Sequence, residues 1–184
     1  TIDLGQPGRD NYYGNGLAIY NTSTVSYENY NPTNGIYSIT NLLSKLQLDV
    51  YYASLDNGIN IIQYYANNGN NQYWNIEQLA DGSYRIVSIR SGKALTIASN
   101  GMVVQETWNN DISQKWNFLI GSDSSIKIIN LANNKTMDIE GSSSNPIARI
   151  VVSNNSQASS QKFTIEAKNY NKQDIVGTTQ DTDG

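Results

Sequence analysis

The acidic side chains are the first candidates for chemistry, because two carboxyl groups that face each other can hydrolyse a glycosidic bond. Four carboxylates are candidates for such a pair: Asp49, Glu77, Asp111 and Glu140. Nothing in their spacing places two of them in one cleft. The chain also contains no histidine and no cysteine, which excludes a Ser-His-Asp triad, a thiol nucleophile and the usual general base near neutral pH. We therefore predict that this segment is not an enzyme, although a neighbouring domain could be one.

Composition also restricts the metals and partners. The 184 residues carry 12 Lys and Arg against 16 Asp and Glu, a net charge of −4. No basic cluster accumulates, so we expect no nucleic-acid partner. Without cysteine or histidine, and with no evident cage of oxygen ligands, we predict no metal and no cofactor. No apolar stretch approaches membrane-spanning length, so we expect no membrane insertion by this segment.

The elements that must position any site are predicted to be β-strands. Charged residues make up only 15% of the chain, while 13 tyrosines and many short apolar runs favour strands. Within the runs apolar residues alternate, as Tyr84 and Ile86 do. Turn-forming pairs separate the runs: Asn34-Gly35, Asn57-Gly58, Asn68-Gly69, Asp81-Gly82 and Asn100-Gly101. No long window has a helical face, so the pattern predicts an all-β chain.

An internal repeat organises these strands into three units. Each unit contains an apolar-x-apolar trio and closes on a Gln-x-aromatic triplet. The trios are Leu48-Asp49-Val50, Leu95-Thr96-Ile97 and Met137-Asp138-Ile139, and the closures are Gln72-Tyr73-Trp74, Gln114-Lys115-Trp116 and Gln161-Lys162-Phe163. The closing aromatics lie 42 and 47 residues apart. Three such units close naturally as a β-trefoil around these aromatics, whereas a propeller usually needs at least four blades.

The repeats divide the chain into three predicted parts. Residues 35–168 form the trefoil, and residues 1–34 form an N-terminal extension, either an arm or a remnant of a preceding domain. Residues 169–184 lack an apolar pattern, so we expect a flexible tail or linker. Because the chain begins at Thr1 rather than Met, we interpret it as a piece of something longer.

The three Gln-x-aromatic closures, each preceded by a Leu-Asp-Val-like trio, resemble the QxW repeat of ricin-B-type lectins over residues 35–168. The resemblance implies a β-trefoil that binds galactose, N-acetylgalactosamine (GalNAc) or related sugars. Members of that family occur as cell-binding parts of toxins, in haemagglutinins and as modules of glycosidases. We therefore expect a secreted, extracellular lectin module that recognises galactose/GalNAc-type glycans on glycoproteins or glycolipids.

The expected biological role is the cell-surface receptor-binding domain of a secreted bacterial toxin or haemagglutinin, linked to or assembled with another toxin or enzyme domain. Two alternatives stay open. One is a carbohydrate-binding module of a polysaccharide-degrading enzyme, and the other is a degenerate trefoil used for protein–protein docking.

The resemblance also implies which residues contact the sugar. The family pocket uses the trio's Asp, an aromatic after the mid-repeat Gln, and an Asn-Gln pair before the closing Trp. The first unit matches each position, which predicts a carbohydrate site at Asp49, Gln63, Tyr65, Asn71 and Gln72. The chemistry is sound, since a carboxylate accepts hydrogen bonds from vicinal hydroxyls, an aromatic ring packs on the sugar's C–H face, and an amide both donates and accepts. The alternative for Asp49 is a turn cap that accepts backbone N–H groups.

The other two units depart from this pattern. In the second, Thr96 replaces the Asp and Ser113 replaces the Asn, so we predict a silent unit. The third keeps Asp138 and Gln161 but has Ser160 in place of the Asn. It is predicted to be a weak second site or none.

Overall fold

The computed structural model describes residues 24–169. The described residues form thirteen β-strands in one antiparallel network. The strands are β1 Tyr27–Tyr30, β2 Gly35–Asn41, β3 Gln47–Val50, β4 Ile59–Tyr64, β5 Trp74–Gln78, β6 Tyr84–Ser88, β7 Ala94–Ile97, β8 Val103–Glu106, β9 Trp116–Gly121, β10 Ile126–Asn130, β11 Thr136–Ile139, β12 Ile150–Ser153 and β13 Phe163–Ala167. The described helices are short 3₁₀ turns, and none of them is long and apolar enough to cross a membrane.

Six of the strands close into a barrel. β2 pairs with β5, β5 with β6, β6 with β9, β9 with β10, β10 with β13, and β13 pairs back with β2. Six others form one hairpin in each repeat: β3–β4, β7–β8 and β11–β12. A barrel of two strands per repeat, capped by three hairpins, is a β-trefoil, which confirms the predicted all-β fold.

The three closing aromatics lie at the centre of the molecule. Trp74, Trp116 and Phe163 are each 0% exposed and belong to one hydrophobic cluster. The indole nitrogens are also paired, since Trp74 Nε1 donates to Leu48 O and Trp116 Nε1 donates to Leu95 O. A buried indole needs such an acceptor, and in both repeats it is the carbonyl of the first trio residue. The expectation of equivalent core aromatics is confirmed.

The closing glutamines fix each repeat in the same way. Gln72, Gln114 and Gln161 are almost completely buried. Each Nε2 donates to the side chain at the middle of the trio and to a backbone carbonyl seven residues earlier. Each Oε1 accepts a backbone N–H from five residues earlier. Because buried amides must be hydrogen-bonded, each glutamine ties the closing loop of its repeat to the trio.

Strand β1 lies within the segment 1–34 and packs on the barrel. It pairs with β9, with Tyr27 opposite Gly121. The Tyr27 ring covers the Lys127 ammonium at 4.2 Å from the ring centroid. The end of the predicted extension therefore contacts the trefoil. Residues 1–23 and almost all of the predicted tail lie outside the described residues, and the three-part division of the chain stays a prediction.

Candidate functional site

A pocket of about 330 Å³ lies beside the first repeat. That volume is at the lower end of the range for small-molecule sites, about 300–1,000 Å³. The lining residues are Asp49, Tyr51, Tyr52, Ala53, Ile62, Tyr64, Asn67, Asn71 and Ile147. All but Ile147 belong to the first repeat, so the pocket spans the boundary between the first and third repeats.

Asp49 reaches the pocket because it alternates with core residues. Its neighbours Leu48 and Val50 are both 0% exposed in the hydrophobic core, and successive strand side chains point to opposite faces. Asp49 Oδ2 accepts hydrogen bonds from Asn71 Nδ2 and Gln72 Nε2, both at 2.8 Å. Within residues 24–169 the other oxygen, Oδ1, accepts no hydrogen bond, so it retains its capacity to accept one from a ligand.

These contacts distinguish the two predicted roles of Asp49. A turn cap would accept backbone N–H groups, whereas both partners here are side-chain amides. Burial raises the pKa of Asp49 above its ordinary value, and the hydrogen bonds from Asn71 and Gln72 offset that rise only in part. The site therefore holds a carboxylate that is orientated by two amides and poorly solvated.

Asn71 reaches Asp49 from a short 3₁₀ turn, Asn70–Gln72, that immediately precedes β5. Gly69 begins this turn. A Cβ at that position would collide with the side-chain oxygens of Asn67 and Asn71. The glycine therefore makes room for two pocket amides, although the Asn68-Gly69 pair looked only like a turn signal.

Gln63 and Gln72 lie behind the pocket and do not line it. Both are 0% exposed. Gln63 Nε2 donates to Ser143 O at 2.9 Å and Asn145 O at 2.7 Å, and its Oε1 accepts from Ser44 Oγ at 2.7 Å. The amides of both glutamines are thus used within the protein. Because of these contacts, both glutamines can hold the pocket walls in place.

Of the two adjacent tyrosines, Tyr64 lines the pocket. Tyr65, to which the family resemblance pointed, is 60% exposed and is not among the lining residues. The two rings meet edge to face with centroids 5.6 Å apart, and the Tyr65 carbonyl accepts a hydrogen bond from Gln72. The pocket geometry favours Tyr64 as the ring that faces a ligand.

Besides Tyr64, six lining residues were not predicted from the sequence: Tyr51, Tyr52, Ala53, Ile62, Asn67 and Ile147. The consecutive tyrosines directly after the Leu48-Asp49-Val50 trio were the available signal for the first two. Nothing local to Ile147 indicated a role, because it reaches this pocket from the third repeat.

The second repeat has no carboxylate at the corresponding position. Thr96 Oγ1 accepts a hydrogen bond from Gln114 Nε2 and donates to Ala94 O, both at 3.1 Å. Its hydroxyl is therefore already engaged in both directions. This arrangement is in keeping with the predicted silent unit.

The third repeat brings Asp138 and Gln161 together. Asp138 Oδ2 accepts from Gln161 Nε2 at 2.9 Å, and Oδ1 is buried without a partner among the described residues. Ser160, which replaces the Asn of the first repeat, is 1% exposed, and its hydroxyl lies 3.2 Å from Ser142 Oγ. The carboxylate is kept, but the amide that orientates Asp49 in the first repeat is absent here. In the part of the chain described, no three potential metal ligands cluster.

The six-stranded barrel and its three hairpins define a β-trefoil domain. Residues 24–111 match the model of a family described as ricin-type beta-trefoil lectin domain-like. The chain is therefore a β-trefoil, and over residues 24–111 it is similar to the ricin-type lectin domains that the QxW repeats resemble. Among curated proteins no match to this sequence was found.

Solved structures share this fold. The designed threefold-symmetric protein ThreeFoil is 29% identical with a TM-score of 0.68, over 72% of this chain and 98% of its own. A mosquitocidal holotoxin is 23% identical with a TM-score of 0.72, over 76% of this chain and 18% of its own. The exo-β-1,3-galactanase 1,3Gal43A from Clostridium thermocellum is 26% identical with a TM-score of 0.70, over 76% of this chain and 31% of its own. The last two are much longer chains, of which this protein matches one part.

Proposed function

We propose that this protein is a non-catalytic lectin module whose first-repeat pocket binds a galactose- or GalNAc-type sugar. The proposal depends on one observation, the environment of the Asp49 carboxylate. This carboxylate lines the pocket, one oxygen is fixed by Asn71 and Gln72, and the other has no partner within residues 24–169. A sugar hydroxyl that donates to this oxygen would form a charge-assisted hydrogen bond in a partly desolvated site.

The remaining pocket walls suit the rest of a sugar. A hexose has an apolar C–H face, and the Tyr64 ring can pack against it. Asn67 and Asn71 add amides, which can donate to or accept from ring hydroxyls. The family model is that of a lectin domain. Among matched structures, an earthworm R-type lectin (22% identical) is in complex with GalNAc, and a Macrolepiota procera ricin B-like lectin (19% identical) is in complex with lactose.

The wider role within this proposal is the cell-surface receptor-binding part of a secreted toxin or haemagglutinin, acting outside the producing cell. The match to part of a mosquitocidal holotoxin supports it. The match to part of a galactanase favours a second candidate, a carbohydrate-binding module that holds an enzyme on its polysaccharide. Binding to glycoproteins or glycolipids but not to insoluble galactan would favour the first role, and the reverse would favour the second.

A glycan array and titration calorimetry test the proposal on wild type, Asp49→Asn and Asp111→Asn. A single small pocket should bind free galactose or GalNAc with a Kd of about 1 mM, equivalent to about −4 kcal/mol. Asp49→Asn keeps the shape but removes the charge, and should weaken binding at least about tenfold. Asp111→Asn is a matched control, because Asp111 caps a turn of the second repeat. If wild type bound no glycan at high protein density, the proposal would fail, and a protein-docking trefoil would be favoured.

A further inference from the structure

Two bulky side chains of the pocket occupy a backbone conformation that favours glycine. Tyr52 has φ of 55° and Ile147 has φ of 68°. This left-handed region is unfavourable for any residue with a Cβ, and it is rarest for β-branched residues such as isoleucine. Core burial does not compensate, since Tyr52 is 84% exposed and Ile147 is 51% exposed.

The third repeat has glycine at the position that corresponds to Tyr52. In both repeats a three-residue 3₁₀ turn follows the trio directly, Tyr51–Ala53 in the first and Glu140–Ser142 in the third. The middle residue is Tyr52 in one and Gly141, with φ of 64°, in the other. In the third repeat, where this turn does not line the pocket, the same left-handed turn is therefore formed by a residue without a side chain.

Ile147 has a glycine counterpart in the first repeat. The N–H of Ile147 donates to Gln63 O at 2.8 Å, and the N–H of Gly58 donates to the carbonyl of the equivalent glutamine, Gln105, at 3.0 Å. Gly58 has φ of 75°, close to the value at Ile147. The backbone at this position is thus left-handed in both repeats. Glycine occupies it in the first repeat, and isoleucine occupies it in the third, where the side chain lines the first-repeat pocket.

The pocket wall that carries Ile147 is held in place by Gln63. Besides its side-chain bonds to Ser143 O and Asn145 O, Gln63 donates its backbone N–H to Ala148 O at 2.9 Å. Unfavourable backbone conformations persist where the surrounding contacts fix them, and they cluster at ligand clamps. The contacts of Gln63 supply that fixation for the residues on either side of Ile147.

Sheet pairing places Ile147 away from Asp49. Asp49 lies opposite Ile62 in the β3–β4 pair, and Ile62 in turn bridges to Arg149 of the third repeat. Two strand spacings of about 4.8 Å therefore separate the backbone of Asp49 from the segment that carries Ile147. A sugar ring held by Asp49 leaves the space beside Ile147 for whatever is linked to it.

We propose that Tyr52 and Ile147 form a second subsite that packs on the apolar face of a second sugar ring. The pocket would then select a disaccharide unit over a monosaccharide. This inference rests on the proposed sugar binding at Asp49 and names the ligand class of the same site. The lost backbone stability at both positions is explained if each side chain contributes apolar contact to the ligand.

Calorimetry with methyl β-galactopyranoside and with lactose tests the second subsite. Wild type should bind lactose about tenfold more tightly than the methyl glycoside, because the second ring adds buried apolar area. In Tyr52→Gly and Ile147→Gly this ratio should fall toward about one. Both variants should unfold at the wild-type temperature or above it, since glycine suits a positive φ. Leu55→Ala is the matched control, an exposed apolar residue of the same hairpin connection that does not line the pocket, and it should keep the wild-type ratio.

The outcomes separate this inference from the proposed function. If wild type bound both ligands equally, or if the glycine variants kept the wild-type ratio, the second subsite would be overturned while sugar binding stood. An equal loss of both ligands in the glycine variants would also overturn it, because Tyr52 and Ile147 would then belong to the Asp49 subsite. If wild type bound neither ligand, sugar binding itself would fail, and the second subsite with it.

Discussion

At the scale of single residues, Asp49 combines a cost to folding with a capacity for binding. The residue is 4% exposed, and two side-chain amides donate hydrogen bonds to one of its carboxylate oxygens. Burial of a charge is unfavourable unless hydrogen bonds replace the lost water, and here within residues 24–169 only Oδ2 is compensated. A ligand hydroxyl that donates to Oδ1 would supply the missing hydrogen bond to the carboxylate.

The pH dependence of stability and binding follows from the same carboxylate. Burial raises the pKa of Asp49 in the folded chain above the ordinary value of 3.8, so its ionisation destabilises the fold as the pH rises from that value through the folded-state pKa. Asp49→Asn removes this ionisation, and its Oδ1 can still accept the amides of Asn71 and Gln72. We expect the variant to have the melting temperature of wild type at about pH 3 and a higher melting temperature than wild type at about pH 7. Thermal melts followed by circular dichroism at the two pH values check this, and a variant that melts below wild type at neutral pH would contradict it.

Sugar binding should have the opposite pH dependence. The ionised carboxylate is the stronger acceptor, so the wild-type affinity should fall as the pH is lowered through the raised pKa of Asp49.

The residues of the site differ in whether a local sequence motif identifies them. That Asp49, Asn71 and Gln72 lie together could be predicted, because the trio and the closure that contain them repeat at a regular spacing, whereas their contact with a sugar stays a prediction. Tyr65 was predicted where Tyr64 lines the pocket, since the motif does not determine which of two adjacent rings turns inward. Ile147 could not be predicted, because contacts between repeats have no signature in local sequence.

At the scale of elements, the mid-repeat glutamines join one repeat to the next. Gln63 holds the β11–β12 connection of the third repeat. Gln105 repeats the arrangement one unit on, with its Nε2 donating to Ser54 O and Asp56 O of the first repeat. The third repeat has Val152 at this position, paired with Met137 as Gln63 is with Leu48. The sequence resemblance predicted Gln63 as a sugar ligand, whereas its contacts connect two hairpins.

Gln63→Val, which installs the residue found in the third repeat, tests this connection. The carbonyls of Ser143 and Asn145 would lose their side-chain donor, and Ser44 Oγ would lose its nearer acceptor. Partly buried groups left without partners should lower the free energy of unfolding by about 2–3 kcal/mol. Chemical denaturation measures the loss.

Ser44→Ala is the control for that experiment, since it removes one of the three contacts of the Gln63 side chain, together with the hydrogen bond that Ser44 Oγ accepts from Leu46 N, and should cost about 1 kcal/mol. If Gln63→Val cost no more than Ser44→Ala, the connection between the repeats would not depend on the glutamine.

At the scale of the whole molecule, the trefoil has threefold architecture, and within residues 24–169 only the first repeat combines the trio's Asp with the Asn before the closing Gln. The core aromatics and closing glutamines occupy equivalent positions in all three repeats. Sequence repetition made this level of the structure predictable, because each unit must bury the same positions to close the barrel. The pocket side chains differ between repeats, since core burial does not constrain them.

The inequality of the repeats leads to a prediction for stoichiometry. Asp49 has an amide partner from Asn71, Thr96 offers no charge, and Asp138 lacks the equivalent amide because Ser160 faces Ser142 instead. We therefore expect one sugar per chain in calorimetry, and no residual site in Asp49→Asn. With a Kd of about 1 mM for one pocket, tight attachment to a glycosylated surface requires several copies, which can raise the apparent affinity by about 10²–10⁴. Surface plasmon resonance on a dense glycan layer should therefore show much slower dissociation for protein immobilised on multivalent particles than for free protein. If calorimetry instead showed a second bound sugar that is retained in Asp49→Asn and lost in Asp138→Asn, the third repeat would be a second sugar-binding site.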